Sequence, residues 1–253
     1  MEEYIKPITN LKEPIFDIEL IPECILNIEV GTTFFRFAVK FNEKFIVLEE
    51  YNYTDKNKQL DFIKELFHQH AYLSARFWKK INLIIYSTKK TMVPSQLGQM
   101  EAEKIWISLF GKTSTGELIS TYIIKEHTLV YQTDHSLITF FREFYANKQF
   151  DIFPSEAALF KISDSVIFHF DGIGCTATFR GQSYYHINWK TLHSLTSANN
   201  LILTGEITKY ALAYRSMIAT NIKVEIAVLN ENIQLSPLFS ELPRHRYFII
   251  FST

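Results

Sequence analysis

Two cysteines in 253 residues, Cys24 and Cys175, are too few for a disulfide scaffold, and without CxxC spacing they make no zinc motif. Both read as small core residues. Charge of one sign is missing too: 26 Lys and Arg stand against 27 Asp and Glu, spread along the chain, so no polybasic patch points to nucleic acid or an anionic membrane. Long hydrophobic runs are absent, the longest late one being Tyr247 to Phe251, far short of the ~20 residues a membrane helix needs. The opening MEEYIK is acidic and lacks the basic and apolar regions of a secretory signal. These absences lead to the expectation of a soluble cytoplasmic protein with no direct membrane insertion. Glycine is scarce, at 8 residues, but Asn, Ile, Lys, Phe and Tyr are abundant together, so coding bias accounts for part of that scarcity. What is plentiful is apolar content, at 47% with 15% aromatic, enough to fill the core of one large domain or two small ones.

The pattern along the chain is α/β. Ile25 to Val39, ILNIEVGTTFFRFAV, is an apolar run, a Gly-Thr-Thr turn and a second apolar run, which describes a hairpin. Phe34 to Lys40 and Phe45 to Tyr51 form the next strand pair across an Asn42-Glu43 turn. Leu60, Ile63, Leu66, Phe67, His70, Leu73 and Phe77 then recur at helical spacing, with Thr54 or Asp55 as N-cap. Ile81 to Tyr86 is a buried strand, and Pro94 is expected to open a helix. Glu117 to Ile124 and Thr128 to Tyr131 are extra strands, and Asp134 caps a helix carrying Leu137, Phe141 and Tyr145. After a boundary near Phe153-Pro154 the order returns. Ser165 to Phe170, Cys175 to Arg180 and Ser183 to Ile187 are strands, with Asp171-Gly172 a turn. A short helix over Trp189 to Ser197 precedes strand Leu201 to Thr204. Gly205 then leads a helix with Ile207, Ala211, Tyr214 and Ile218 on one face. Arg246 to Phe251 reads as a closing strand. Each half therefore runs strand, strand, strand, helix, strand, helix, the mark of an internal duplication.

The first hairpin resembles phosphate loop one of the actin-like ATPase superfamily (actin, sugar kinases, heat-shock chaperones), VIFHFDGIGCTATF resembles phosphate loop two, and LILTGEITKYAL resembles the adenosine segment. At a finer level NLIIYSTKKTMVPSQL and LILTGEI look like a bacterial family of uncharacterised role with a degenerate actin-like ATPase fold. The layout is similar to the cytoplasmic actin-like components of pilus and type II secretion assemblies. The resemblance implies a duplicated actin-like (ribonuclease H-like) α/β fold with two mixed-sheet subdomains flanking a cleft: residues 1–153 with inserted strands, and a smaller 154–253. It also implies a nucleotide cleft built from Glu29, Gly31, Thr32, Thr33, Asp171, Gly172, Gly174, Gly205 and Glu206.

Departures from the active pattern bear on activity. In-line phosphoryl transfer needs carboxylates on a metal and donors aimed at the γ-phosphate. The resemblance places an Asp where this chain has the longer Glu29, and Phe168-His169-Phe170 stands where the second loop should bring an acid. Asp171 supplies one only if the register slips. A non-catalytic interaction or scaffold module is therefore expected, with no catalytic residue, metal or cofactor and with a protein partner, a second copy of this chain among the options. The alternative is an ATP-binding switch or phosphotransfer enzyme using ATP and Mg in the cleft.

Rival motifs fail on spacing. Gly111-Lys112-Thr113-Ser114 mimics the end of a P-loop, but Trp106 stands where the first Gly is required, so it reads as a polar turn after a helix. Lys112 breaks a nucleophile elbow at Ser114. His68 and His70 point to different faces of a helix and cannot share a metal. His169 reads as a hydrogen-bonded core histidine, Glu206 as a first-turn carboxylate at a helix N-terminus, and Arg244, His245 and Arg246 as a solvated turn.

Overall fold

The computed structural model describes residues 5–53, 58–146, 148–162, 165–179, 182–186, 200–210, 215 and 222–253. A short strand, β1 (Thr9–Lys12), precedes the predicted meander of β2 (Ile25–Val30), β3 (Phe34–Phe41) and β4 (Lys44–Asn52). Asn42 and Glu43, at φ 45° and 64°, form the tight turn between β3 and β4, the left-handed geometry that suits a right-twisted hairpin. Then come α1 (Gln59–Gln69), β5 (Lys80–Ile85), β6 (Lys90–Pro94), α2 (Gln99–Phe110), β7 (Glu117–Ile124), β8 (His127–Asp134), α3 (His135–Phe144), β9 (Gln149–Pro154) and α4 (Glu156–Leu159). The rest comprises β10 (Val166–Phe170), β11 (Cys175–Phe179), β12 (Gln182–His186), β13 (Asn200–Gly205), β14 (Lys223–Ile226), β15 (Gln234–Leu235) and α5 (Phe248–Ser252).

Two mixed sheets share one strand order. The first runs β4-β3-β2-β5-β9, extended by β1 and β15 on β4; the second runs β12-β11-β10-β13-β14. In each, three strands pair antiparallel in sequence, and the fourth and fifth add parallel beside the first. Thus β5 and β13 hold the same place in their sheets. A third, antiparallel sheet of order β6-β8-β7 is built from the inserted strands. Both cysteines are buried, and burial pushes the Cys24 thiol up to about 11.

Three elements differ from expectation. The first helix stops at Gln69 because His70 leaves the helical path: its Nε2 bonds Glu49 Oε2 at 3.0 Å, and its Nδ1 accepts from Leu73 N–H. Phe77 is consequently exposed. Pro94 closes β6 instead of opening a helix, sitting at a strand end where its missing N–H removes little from the ladder. The tail is a helix, not a strand. Phe248, Ile249, Ile250 and Phe251 are all buried, and four consecutive apolar residues suit a fully enclosed helix as well as a strand. α5 lies in a core shared by Ala38, Leu48 and Ile84 of the first sheet and Ile167 of the second, and its Ile250 carbonyl accepts from Asn27 Nδ2 at 2.9 Å. The expected helix over Trp189 to Ser197, Ala211, Tyr214 and Ile218 of the helix after Gly205, and the Thr54 or Asp55 cap lie outside the described residues. Asp134 does cap α3, accepting from Leu137 N–H at 2.9 Å. Among the described residues no helix is long and apolar enough to cross a membrane.

Candidate functional site

Hairpin register sets the electrostatics of the first loop. Glu29 on β2 lies directly opposite Arg36 on β3, and Arg36 directly opposite Glu50 on β4, so three charges form one row across three strands. All three are buried. The Arg36 guanidinium lies 3.6 Å from Glu29, 3.0 Å from Glu50 and 2.7 Å from Glu206. Glu206 is therefore not a simple first-turn carboxylate: its Oε1 also accepts from Arg246 Nε at 2.7 Å. Arg246 reaches Glu50 as well, at 2.9 Å, and Tyr247 O–H donates to the other Glu50 oxygen. Arg246 and the His245 backbone are thus tied into the site instead of being solvated, while Arg244 is exposed as expected. Burial works against the charge on Arg36, but Glu29 and Glu50 outweigh it and hold the guanidinium above its ordinary pKa. Burial raises the pKa of Glu29, with Arg36 and Tyr86 opposing.

A second chain of hydrogen bonds crosses from sheet to sheet. Tyr86 O–H donates to Glu29 Oε1 at 2.6 Å and lies 2.9 Å from His169 Nε2 on β10. Enclosure, reinforced by the Arg36 and Lys90 charges, pushes His169 down to about 3, so it is neutral, as a core histidine should be. Nearby, buried Lys90 on β6 donates to Glu156 and, at 3.0 Å, to Thr176 Oγ1, joining the third sheet to the second.

The loops themselves are closed by internal partners. Gly31 does not have a left-handed φ; its need for hydrogen is steric, because a Cβ there would overlap the Phe34 ring. That ring carries the Arg36 guanidinium 4.0 Å from its centroid. The Gly31 carbonyl accepts from Tyr53 O–H and from Gln59 Nε2. In loop two one Asp171 carboxylate oxygen accepts from Ile173 N–H at 3.0 Å and Gly174 N–H at 2.7 Å, and the carboxylate is also engaged by the Tyr185 side chain, so the acid is occupied within the protein. Gly172, at φ 94°, faces Thr33 Oγ1 and the Lys209 amine, each 3.6 Å from where a side chain would begin. Gly205, at φ 83°, packs so closely on Phe170 that a Cβ would overlap the carbonyl oxygen. Its N–H and the Thr204 hydroxyl both donate to the His245 carbonyl at 2.8 Å.

The predicted site residues therefore divide. Glu29, Thr33, Gly172, Gly205 and Glu206 converge on the Arg36 cluster and the contact between loops; Asp171 and Gly174 close loop two. Gly31 and Thr32 instead line a polar cavity of about 470 Å³ at the carboxyl ends of β2 and β5, with Tyr86, Lys89, Gln132 and Asp134 on its walls. Thr32 Oγ1 is buried without a partner among the described residues. Sequence reasoning missed Arg36, Glu50, Tyr86 and Arg246. The Glu29 to Arg36 pairing was readable from the hairpin turn; the other three reach the site through tertiary packing.

The chain belongs to the family described as Protein of unknown function (DUF3822), whose profile matches residues 13–185. No functionally curated protein matches it. Among solved structures it is similar to a Bacteroides thetaiotaomicron protein of actin-like ATPase fold and unknown function, at 18% identity and TM-score 0.69, covering 84% of this chain and 94% of that one. It is also similar to a chain of the PilM-PilN type IV pilus biogenesis complex, at 11% identity and TM-score 0.57, over 90% and 96% of the two chains. A weaker likeness, at 11% identity and TM-score 0.45 over 90% and 92%, is to the cytoplasmic domain of EpsL, an inner membrane component of the Vibrio cholerae type II secretion system. At these identities the first two likenesses establish the fold alone, which is the α/β actin-like fold expected.

Proposed function

We propose that this chain is an actin-like module that engages another protein and does not hydrolyse ATP. The observation that carries the reading is Arg36. Its guanidinium takes the cationic place beside Glu29, with Glu50 and Glu206 around it, where an active phosphate-loop carboxylate would orient a metal and its waters. A magnesium nucleotide does not fit this arrangement as it stands. The Phe34 ring covers Gly31, Asp171 bonds its own loop, and His245 engages the backbone of Gly205. No reaction step is assigned to the cleft.

The shared strand order of the two sheets supports an internal duplication divided near Phe153-Pro154, with the cleft residues between the halves. The tail crosses back: β15 pairs with β4, and α5 packs into the shared core. This crossing favours a fixed scaffold over a pair of lobes that open and close around a ligand. The PilM-PilN neighbour, described as a pilus biogenesis complex, supports protein engagement by analogy of fold only. A cytoplasmic setting is part of the same reading.

Titration with ATP and ADP in the presence of Mg²⁺, read by thermal unfolding, tests it. Ligand at 100 times its dissociation constant would add about 2.7 kcal/mol of stability. No Mg-dependent rise is expected, and a clear one overturns the proposal in favour of a nucleotide switch.

A further inference from the structure

Charge does not balance in the enclosed cluster around Arg36. Three carboxylates, Glu29 on β2, Glu50 on β4 and Glu206 after β13, meet two guanidiniums, Arg36 on β3 and Arg246 ahead of α5. All but Arg246 are buried, so one negative charge is left over where water is largely withdrawn. An enclosed charge without a counter-charge is strongly unfavourable, and a carboxylate in that position takes up a proton. The surroundings supply no further cation among the described residues. Asp171 adds a negative charge beyond Tyr86, Lys90 is paired with Glu156, Lys209 is exposed, and the His245 ring engages the Gly205 carbonyl.

Geometry decides which acid holds the proton. Glu206 lies 2.7 Å from each guanidinium. Glu50 lies 3.0 Å from Arg36 and 2.9 Å from Arg246, and its other oxygen accepts from Tyr247 O–H. Glu29 has Arg36 at 3.6 Å, and its Oε2 is buried with no hydrogen-bond partner among the described residues. Its Oε1 faces the chain that crosses to loop two, 2.6 Å from the Tyr86 hydroxyl, which in turn is 2.9 Å from His169 Nε2. Burial and the Glu50 and Glu206 charges favour the proton on Glu29, against Arg36 and Tyr86.

We infer that Glu29 carries a proton at neutral pH, which balances the cluster and makes the Glu29–Tyr86–His169 chain a proton-dependent joint between the two sheets. This deepens the non-hydrolytic reading of the same site, because the acid of loop one is then a neutral hydrogen-bond donor and not a metal-binding carboxylate. With the proton on Oε1, Glu29 donates to the Tyr86 oxygen and Tyr86 O–H turns to Nε2 of neutral His169, whose own proton is on Nδ1. When one proton leaves to solvent, Tyr86 O–H swings back to Glu29, and His169 carries its proton on Nε2 and donates to Tyr86. The heavy atoms keep their places while every bond in the chain reverses direction.

Difference infrared spectroscopy of the full chain, wild type minus Glu29→Gln, reads the proton directly. The glutamine amide keeps the shape and neutrality of the protonated acid, so the variant is expected to fold. At pH 7 the difference should show the carbonyl stretch of a protonated carboxylic acid, and in the wild type that band should fade as pH is raised. Glu206→Gln brings the count to two acids and two guanidiniums, and should lower the pH at which the band fades by about one unit or more. Denaturant unfolding of the wild type between pH 7 and 8, above the histidine range and below that of the thiols, gives a second measurement. A group that binds its proton more tightly in the fold contributes stability that is full below its unfolded pKa and is lost as pH rises through the folded one. The folding equilibrium constant should therefore fall by up to about tenfold over that pH unit, and Glu29→Gln should flatten the dependence. A wild type with no protonated-acid band at pH 7, or a band unmoved by Glu206→Gln, overturns the inference, as does wild-type stability that does not fall from pH 7 to 8. None of these readouts involves nucleotide, so the titration with ATP and ADP judges the non-hydrolytic reading separately.

Discussion

The two loops that face each other across the sheets are both closed, but by different means. Loop one is held by side chains from elsewhere in the chain: Tyr53, Gln59 and Tyr86 from its own sheet region, with Phe34 seated on Gly31 and Arg36 bridging to Glu206. Loop two is held chiefly through Asp171, whose carboxylate accepts two N–H groups of its own turn and is also engaged by Tyr185 on the neighbouring β12. The difference teaches where damage will spread. A change in loop one unsettles contacts drawn from many positions, whereas a change in loop two acts mainly on its own turn and on the few side chains beside it, Tyr185, Thr33 and Lys209.

The sharpest way to break the contrast is Arg36→Met. Removing one partner of a buried ion cluster leaves carboxylates enclosed without compensation, and Glu29, Glu50 and Glu206 would all lose a guanidinium neighbour. The expected loss is about 3–5 kcal/mol in urea denaturation. A loss below about 1 kcal/mol would mean that the cluster is solvated or that Arg246 alone suffices.

The link between the loops, Tyr86 to His169, offers a pH handle. His169 is depressed to about 3 in the folded state from an ordinary 6.5. A depressed group contributes stability that is fully present above its unfolded pKa and is lost as pH falls through the folded one. Acidification from 6.5 toward 3 should therefore erode stability, by up to about 2–3 kcal/mol over the first two pH units. Glu29 acts in the opposite sense, because its raised pKa makes its protonated form the more comfortable one in the fold. His169→Gln removes only the histidine contribution, so stability measured between pH 6.5 and 4.5 should fall less steeply in the variant. Parallel curves would mean that His169 takes up its proton without opposition.

Much of this architecture is legible in the chain, and the reasons for the gaps are physical. The Asn42-Glu43 turn, the three-strand units and the Asp134 cap are local signals, written within a few residues of where they act. Strict counting from that turn sets Arg36 opposite Glu49. A register irregularity between Val39 and Lys40 moves Glu50 into that place and leaves Glu49 for His70 on the other face. No composition or spacing announces that extra residue. Likewise Phe248 to Phe251 is apolar in either a strand or an enclosed helix, and only packing into the core shared by the two sheets decides. Arg246 and His245 find Glu206 and Gly205 by folding back 40 residues, beyond any local pattern.

The glycines sharpen the comparison at smaller scale. Gly31→Val should cost about 1–3 kcal/mol by overpacking against the Phe34 ring, and pairing it with Phe34→Ala should recover part of that loss, since the obstacle is a side chain. Gly172→Ala meets only ordinary contacts, at 3.6 Å to Thr33 Oγ1 and the Lys209 amine, but a left-handed φ, so its cost of about 1–2 kcal/mol comes from backbone strain and no neighbouring truncation should relieve it. Rescue at both positions, or at neither, would erase the distinction drawn between the loops.

Thr32 gives the smallest and most discriminating effect. In an active phosphate loop a hydroxyl at this place would serve a ligand; here Oγ1 is buried and has no partner among the described residues, while the residue lines a cavity of about 470 Å³. An enclosed hydroxyl without a hydrogen bond is unfavourable, so Thr32→Val, which keeps the shape and removes the polar atom, should leave stability within about 1 kcal/mol of wild type and on the favourable side. Asp171→Ala in loop two removes a carboxylate that accepts two backbone N–H groups and should lower stability by more than Thr32→Val changes it. If thermal unfolding shows instead that Thr32→Val is clearly destabilising, the hydroxyl has a partner in solution. The cavity beside loop one would then hold a bound molecule, and loop one would be the working loop of the pair.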